Sequence, residues 1–167
     1  MARRLKDTLP KRFPRLVENR DAEALKNVFE DRSPDARDRE GNTALHLTQV
    51  PEEIKTWLLD QGADINARNV DGDTPLHTHV AHPEADPRFL LERGADVDVE
   101  NNRGENPTFA AASSPEMMDL LIRAGADPHT HNEVGDTPLI AAIRTAEPSR
   151  IRSEEHTSEL QSPDHLV

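Results

Sequence analysis

Apolar residues in this chain gather into short blocks separated by strongly polar stretches, and the blocks recur. Ile54, Trp57, Leu58 and Leu59 form the first, Phe89, Leu90 and Leu91 the second, and Met117, Met118, Leu120, Leu121 and Ile122 the third. Each block supplies the large apolar side chains of a helix core stripe, which predicts an amphipathic helix there. Pro51, Pro87 and Pro115 stand ahead of the blocks, at helix starts where a missing N–H costs nothing. Gly62, Gly94 and Gly125 come just after them, each opening a Gly-Ala-Asp triplet; a glycine in that place closes a helix in the left-handed conformation. A second set of helix starts lies between the blocks. Thr43, Thr74, Asn106 and Thr137 carry side-chain oxygens suited to capping, and Pro75, Pro107 and Pro138 follow three of them directly.

The period is regular. The Gly-Ala-Asp triplets lie 32 and 31 residues apart, and the turn glycines Gly41, Gly72, Gly104 and Gly135 lie 31, 32 and 31 apart. Two residues after each turn glycine come Thr43-Ala44-Leu45-His46, Thr74-Pro75-Leu76-His77, Asn106-Pro107-Thr108-Phe109 and Thr137-Pro138-Leu139-Ile140. One such unit cannot bury its apolar stripe alone, so the core must come from stacking. The pattern resembles the ankyrin repeat, with its Thr-Pro-Leu-His signature and later Gly-Ala-Asp, over about residues 17–147. The resemblance implies an all-α solenoid of helix-turn-helix pairs joined by β-hairpin-like loops. It divides the chain into a degenerate N-terminal capping repeat (17–37), repeats at about 38–68, 69–100 and 101–131, and a truncated repeat at 132–151. In the capping repeat Leu25, Val28 and Phe29 are expected to face the stack. Small residues such as Ala111, Ala112 and Ala142 let neighbouring helices approach closely. The period is shorter than the usual ~33 residues, with the loss placed between the two helices. Repeat three replaces Leu-His by Thr108-Phe109, so its local hydrogen bonding should differ. The second helix of repeat four would start at Pro148 and lacks the paired leucines of the others, so residues 149–162 should pack weakly.

Composition changes the picture in two places. With 34% apolar and 3% aromatic residues, 31% charged and a formal charge of −12, the chain would lean towards disorder without its repeat. The charge is uneven: residues 1–16 hold six basic groups against Asp7, a balance of +5, leaving −17 for the rest. An acidic body disfavours nucleic acid, whose phosphates need Lys and Arg, and suits a basic protein partner. The basic segment 1–16 reads as a helix completing the cap or as an arm, and Pro10 and Pro14 argue against one continuous helix. Residues 152–162 look like an in-frame translation of a common sequencing-library adapter, and residues 163–167 fit its continuation. On that reading 152–167 is a non-native tail of net charge −3, which leaves −9 for the remainder. The native gene then continues beyond it. There is no Cys, so no disulfide or thiolate site forms. No apolar run reaches the ~18 residues of a membrane span, and no secretory signal follows the basic start. The expectation is a cytoplasmic protein, monomeric on its own.

Candidate chemistry is sparse. The eight histidines include His77-x-His79-x-x-His82 and His129-x-His131, but no metal site is expected. The resemblance gives His46 and His77 structural hydrogen bonds, and places His79 at a helix-packing position usually filled by Ala. No nucleophile elbow or phosphate loop is present, so neither catalysis nor a cofactor is expected. The resemblance implies instead a concave binding surface of hairpin tips and first helices. Its tip residues would be Arg37, Arg39, Glu40 and Asn42; Arg68, Val70, Asp71 and Asp73; Glu100, Asn102, Arg103 and Glu105; and His131, Glu133, Val134 and Asp136. The helix ends Gln49, Val50, Ala81, His82, Ser113, Ser114, Arg144 and Thr145 complete it. Arginine dominates the first tips and carboxylates the last, which makes Arg68→Glu with Asp73→Lys the natural pair for testing partner capture. Three partner readings follow: a generic protein-interaction module, an immunity or antitoxin protein neutralising a basic toxin, and a regulatory or scaffold subunit that is the N-terminal part of a longer protein.

Overall fold

The computed structural model describes residues 5–146. The elements run β1 (Lys6–Thr8), α1 (Phe13–Glu18), α2 (Ala22–Val28), β2 (Arg32–Arg37), α3 (Glu52–Asp60), α4 (Pro75–Ala81), α5 (Arg88–Glu92), α6 (Pro107–Ala110), α7 (Pro115–Arg123) and α8 (Pro138–Ala146). These are short helices stacked in chain order, paired in the cap and in repeats two and three. The second helix of repeat four and the 152–167 tail lie outside the described residues.

The first end is closed by α1 and α2. Asp21 caps α2 by accepting the Ala24 N–H at 3.0 Å, and Leu25, Val28 and Phe29 turn inward and are buried. Phe29 meets Phe13 edge to face at 5.8 Å and tilts against Trp57 at 6.2 Å, tying the cap to α3. The all-α expectation gains one addition here, and the segment set apart as 1–16 is divided. Lys6–Thr8 lies parallel to Arg32–Arg37, with the Leu9 N–H donating to the Arg37 carbonyl at 2.8 Å and Lys6 paired with Asp31. Phe13–Leu16 belong to α1. A three-residue strand exposed throughout has no alternation by which sequence could reveal it.

First helices vary with the room they are given. Twelve residues separate Thr74 from Pro87 and hold the seven of α4; eight separate Asn106 from Pro115 and hold the four of α6. Repeat one has seven between Thr43 and Pro51, with Ala44 in the proline position, and forms only successive turns. There the His46 N–H reaches the Thr43 carbonyl at 3.1 Å and the Val50 N–H the Leu47 carbonyl at 3.2 Å. The second helices supply the core, with Ile54, Leu58, Leu90 and Leu121 fully buried. Ile122, expected in that stripe, is 44% exposed, because the nine-residue α7 turns only one face to the stack.

Buried residues form two clusters, one from Phe13 to Leu58 and one from Leu76 to Ala126. A polar pair lies across the step from repeat one to repeat two. Lys55 on α3 reaches His79 Nε2 on α4 at 2.8 Å and the Thr48 carbonyl at 3.4 Å, while His79 Nδ1–H donates to the Pro75 carbonyl at 2.8 Å. That pattern makes His79 neutral and Lys55 the donor. Burial pushes Lys55 down to about 8, opposed by Glu52. Burial first, then the Lys55 charge, pushes His79 down to about 4.

Two outcomes follow. As pH falls from about 6.5 towards 4, the unfolded chain takes up the His79 proton before the folded one, so stability falls across that window. His46 and His77, lowered chiefly by burial, act in the same direction. Urea unfolding at pH 7 and pH 4.5 should therefore show an acid loss that His79→Ala reduces by about 1–3 kcal/mol. At the hairpin tips, Gly72 has φ +80° and an added Cβ would lie 2.7 Å from the Asn102 amide nitrogen, whereas at Gly62 (φ +90°) it would meet open space. Gly72→Ala should cost about 1–3 kcal/mol and Gly62→Ala less; equal losses in thermal melts would contradict the close-approach argument.

Candidate functional site

The surface that could engage a partner is set by the loops between repeats, and their shape comes from a recurring side chain. Asp38, Asn69, Asn101 and Asn132 each turn a side-chain oxygen back onto two backbone N–H groups of their own loop. Asn69 Oδ1 accepts from Asp71 and Asp73 at 3.0 and 2.9 Å, Asn101 Oδ1 from Arg103 and Glu105 at 2.9 and 3.2 Å, and Asn132 Oδ1 from Val134 and Asp136 at 3.2 and 2.9 Å. The amide ends link successive loops: Asn69 donates to Asn42 at 3.0 Å, Asn101 to Asp73 at 2.8 Å and Asn132 to Glu105 at 3.4 Å. Tip backbones join the same seam, with the N–H groups of Val70, Asn102 and Glu133 donating to the carbonyls of Glu40, Asp71 and Arg103 at 3.1, 2.9 and 3.1 Å. These Asx positions were not singled out from sequence, although their recurrence at spacings of 31, 32 and 31 residues was legible.

The motif histidines latch each first helix to the next loop. His46 Nδ1 accepts from the Thr43 N–H and hydroxyl at 3.1 and 3.0 Å, and its Nε2–H donates to the Asp73 carbonyl at 3.0 Å. His77 repeats this with Thr74 and the Glu105 carbonyl, at 2.9 Å to the latter. Burial lowers both imidazoles, consistent with neutral rings. Repeat three has Phe109 instead. Its Asn106 caps by accepting the Thr108 N–H at 3.2 Å, and Asn106 Nδ2 is buried without a partner among the described residues.

Against this frame the loops and first helices of repeats two to four enclose a groove of about 720 Å³. Its floor is small side chains, notably Ala81, Ala110 and Ala141, with Phe109 beside them. Its lining holds one carboxylate per repeat, Asp73, Glu105 and Asp136, together with Arg103 and Arg144. Arg103 Nε donates to Glu105 at 2.8 Å and Arg144 Nη1 to Asp136 at 2.6 Å, each from a largely exposed side chain. At the first end lies a second cavity of about 880 Å³, between Leu9, Phe13, Pro14 and Val17 of the cap and Leu47 of the shortened repeat.

The candidate residues separate by place. Asp73, Arg103, Glu105 and Asp136 line the groove, with Ala81, Ser113 and Arg144, so that two of its three carboxylates are paired with arginine. Arg37, Arg39, Glu40 and Gln49 line the other cavity. Val70, Asp71, His82, Glu100, His131, Glu133 and Val134 are exposed and border neither cavity. Several have work within the fold. Arg37 Nη1 donates to the Gly41 and Arg68 carbonyls at 2.8 and 2.6 Å, Arg68 Nε to the Gly72 carbonyl at 3.1 Å, and Asn102 Nδ2 to the Val70 carbonyl at 2.9 Å. The expected run of arginine along the first tips is thus partly a set of loop staples, and Arg68→Glu with Asp73→Lys would disturb the seam as well as the surface. Ser114 caps α7 through the Met117 N–H at 3.4 Å. Val50 is buried at 2% exposure, because repeat one has no helix whose end it could form. The side chain of Thr145 is outside the described residues. Among those residues no cluster of three or more His, Asp or Glu could hold a metal ion, and no helix is long and apolar enough to cross a membrane.

A family model described as ankyrin repeats in three copies matches residues 15–101, just over half of the chain. No curated protein matches it. Restoring the missing latch tests the hydrogen-bond account: Asn106→Thr with Phe109→His should raise stability by about 0.5–2 kcal/mol in urea unfolding.

Proposed function

The chain belongs to the ankyrin-repeat family, and from that we propose that it binds a basic protein along the groove of repeats two to four. Ankyrin repeats are protein-interaction modules, so binding itself comes with the family. The recurring carboxylates Asp73, Glu105 and Asp136 in its lining carry the finer reading. They repeat once per unit, as basic side chains on an extended or helical partner segment could follow them. The small floor leaves room for side chains to enter. An acidic field speeds encounter with a basic partner more than it deepens affinity.

The sharpest case of this reading is a cytoplasmic immunity protein that covers the basic active surface of a toxin, acting as a monomer. It is supported by the overall charge of −12, which is −9 without residues 152–167, and by the recurring carboxylates of the groove. A regulatory or scaffold subunit would use the same groove on a partner of other charge. Co-purification with the product of the adjacent reading frame distinguishes the two, since a basic protein whose toxicity disappears on co-expression favours the first.

The groove is tested with isosteric changes. Asp73→Asn, Glu105→Gln and Asp136→Asn together keep one acceptor oxygen at each position for the loop seam, remove three negative charges and release Arg103 and Arg144 from their ion pairs. At low salt the association rate with that partner should fall about tenfold and lose most of its salt dependence. Ala110→Trp, at an exposed floor position, should block binding without unfolding the chain. Unchanged association in both variants would move the interface to the opposite face.

A further inference from the structure

The step between repeats one and two differs from the next one in what fills it. Buried apolar residues before it form one cluster, from Phe13 to Leu58, and those after it form another. Across the following step the core is shared, since Leu76 and Val80 of repeat two lie in one cluster with Ala111 and Leu121 of repeat three. At the first step each side instead buries a polar residue. Lys55 on α3 is 6% exposed and His79 on α4 is 2% exposed, with Nζ 2.8 Å from Nε2. Further hydrogen bonds cross beside the loop seam: His46 Nε2–H donates to the Asp73 carbonyl at 3.0 Å, and the Thr78 hydroxyl to the His46 carbonyl at 3.1 Å. Both imidazoles work as neutral rings, His79 by accepting from Lys55 and His46 by accepting from the Thr43 N–H.

A proton on His79 Nε2 removes the acceptor of Lys55 and sets a second cation against it in a buried place. The charges nearby give little relief. Glu52, at the exposed start of α3, acts on Lys55 from its own helix. On α2, which packs on α3, Lys26 is paired with Glu53 and Glu23 is exposed. His46 and His82 oppose a proton on His79, α6 has no titratable residue, and Arg88 and Glu92 of α5 are exposed. His46 itself is faced by Arg37, Asp38 and Asp73. A second buried charge without a counter-charge is costly, and parting the two sides lets water take it up. We propose that the step between repeats one and two is an acid-released joint, at which protonation of His79 against Lys55 uncouples the cap and repeat one from the later repeats. The cavity against the cap lies wholly before the joint and the groove wholly after it, so each keeps its lining while their relative placement is freed. The joint is independent of what the groove binds.

The test compares two probes of urea unfolding on the full chain. Trp57 is the single tryptophan and packs against Phe29 before the joint, so its fluorescence reports that part, whereas far-UV circular dichroism reports the whole chain. Coincident transitions mark one cooperative unit. The two signals should coincide at pH 7 and separate at pH 4.5, as the constant for uncoupling rises about tenfold or more. His79→Gln keeps an acceptor for Lys55 that takes up no proton in this range, and should hold the signals together at pH 4.5. Lys55→Met removes the opposing cation and should narrow the separation, which covers the case of a glutamine variant that does not fold. His77→Gln, whose imidazole reaches the loop of repeat three, should leave the separation in place. Coincident transitions at both pH values would overturn the joint, and so would a separation already present at pH 7. A separation at pH 4.5 that His79→Gln leaves unchanged, or that His77→Gln removes equally, would overturn it too.

Discussion

Each repeat in this protein is held to the next by a narrow polar seam at the loops, and the rest of the structure depends on it. One backbone N–H crosses at each tip, from Val70, Asn102 and Glu133, and one asparagine amide crosses beside it. The helices are too short to persist alone, and a repeat exposes its apolar stripe until a neighbour covers it. The seam sets the distance at which that covering occurs. The tip glycines follow from the same constraint: the close approach at Gly72 leaves no space for a Cβ, and the turn itself needs positive φ.

A rigid seam lets the first helices vary without breaking the stack. Repeat one gives up its first helix, repeat three keeps one turn, and repeats two and four keep longer ones. The unevenness shapes the side that carries the cavities. Small residues and short helices open the groove in the later repeats, and the shortened first repeat leaves the cavity against the cap. Local loss of helix thus becomes a feature of the surface, at little cost to the core supplied by the second helices.

The step between repeats one and two carries a further polar contact besides the seam. A buried lysine with no carboxylate among its hydrogen-bond partners is costly, and here Lys55 is satisfied by a neutral histidine and a backbone carbonyl. The pair gives direction where an apolar contact would give only area. It also makes the step sensitive to acid, because a second proton at His79 would face an ammonium. The loop histidines share that sensitivity through burial and through their acceptor nitrogens, which a proton would remove.

Sequence by itself determined the repeat and most of its helices, because those rest on local chemistry. A proline after a capping Thr, a glycine after an apolar run and a buried leucine pair act within a few residues of themselves. Sequence also placed Leu25, Val28 and Phe29 in the core and marked Phe109 as a broken latch. Only the tertiary structure decided which polar residues serve the fold and which stay open on the surface. Arg37, Arg68 and Asn102 look like surface charges and amides in a list of residues, yet each spends its donors on a carbonyl, two of those across to another repeat. Val50 went from surface to core when repeat one failed to form its helix. The parallel strand at Lys6–Thr8 and the Lys55–His79 contact join residues 24 or more positions apart, and no local period encodes which distant backbone or side chain will be opposite once the repeats have stacked.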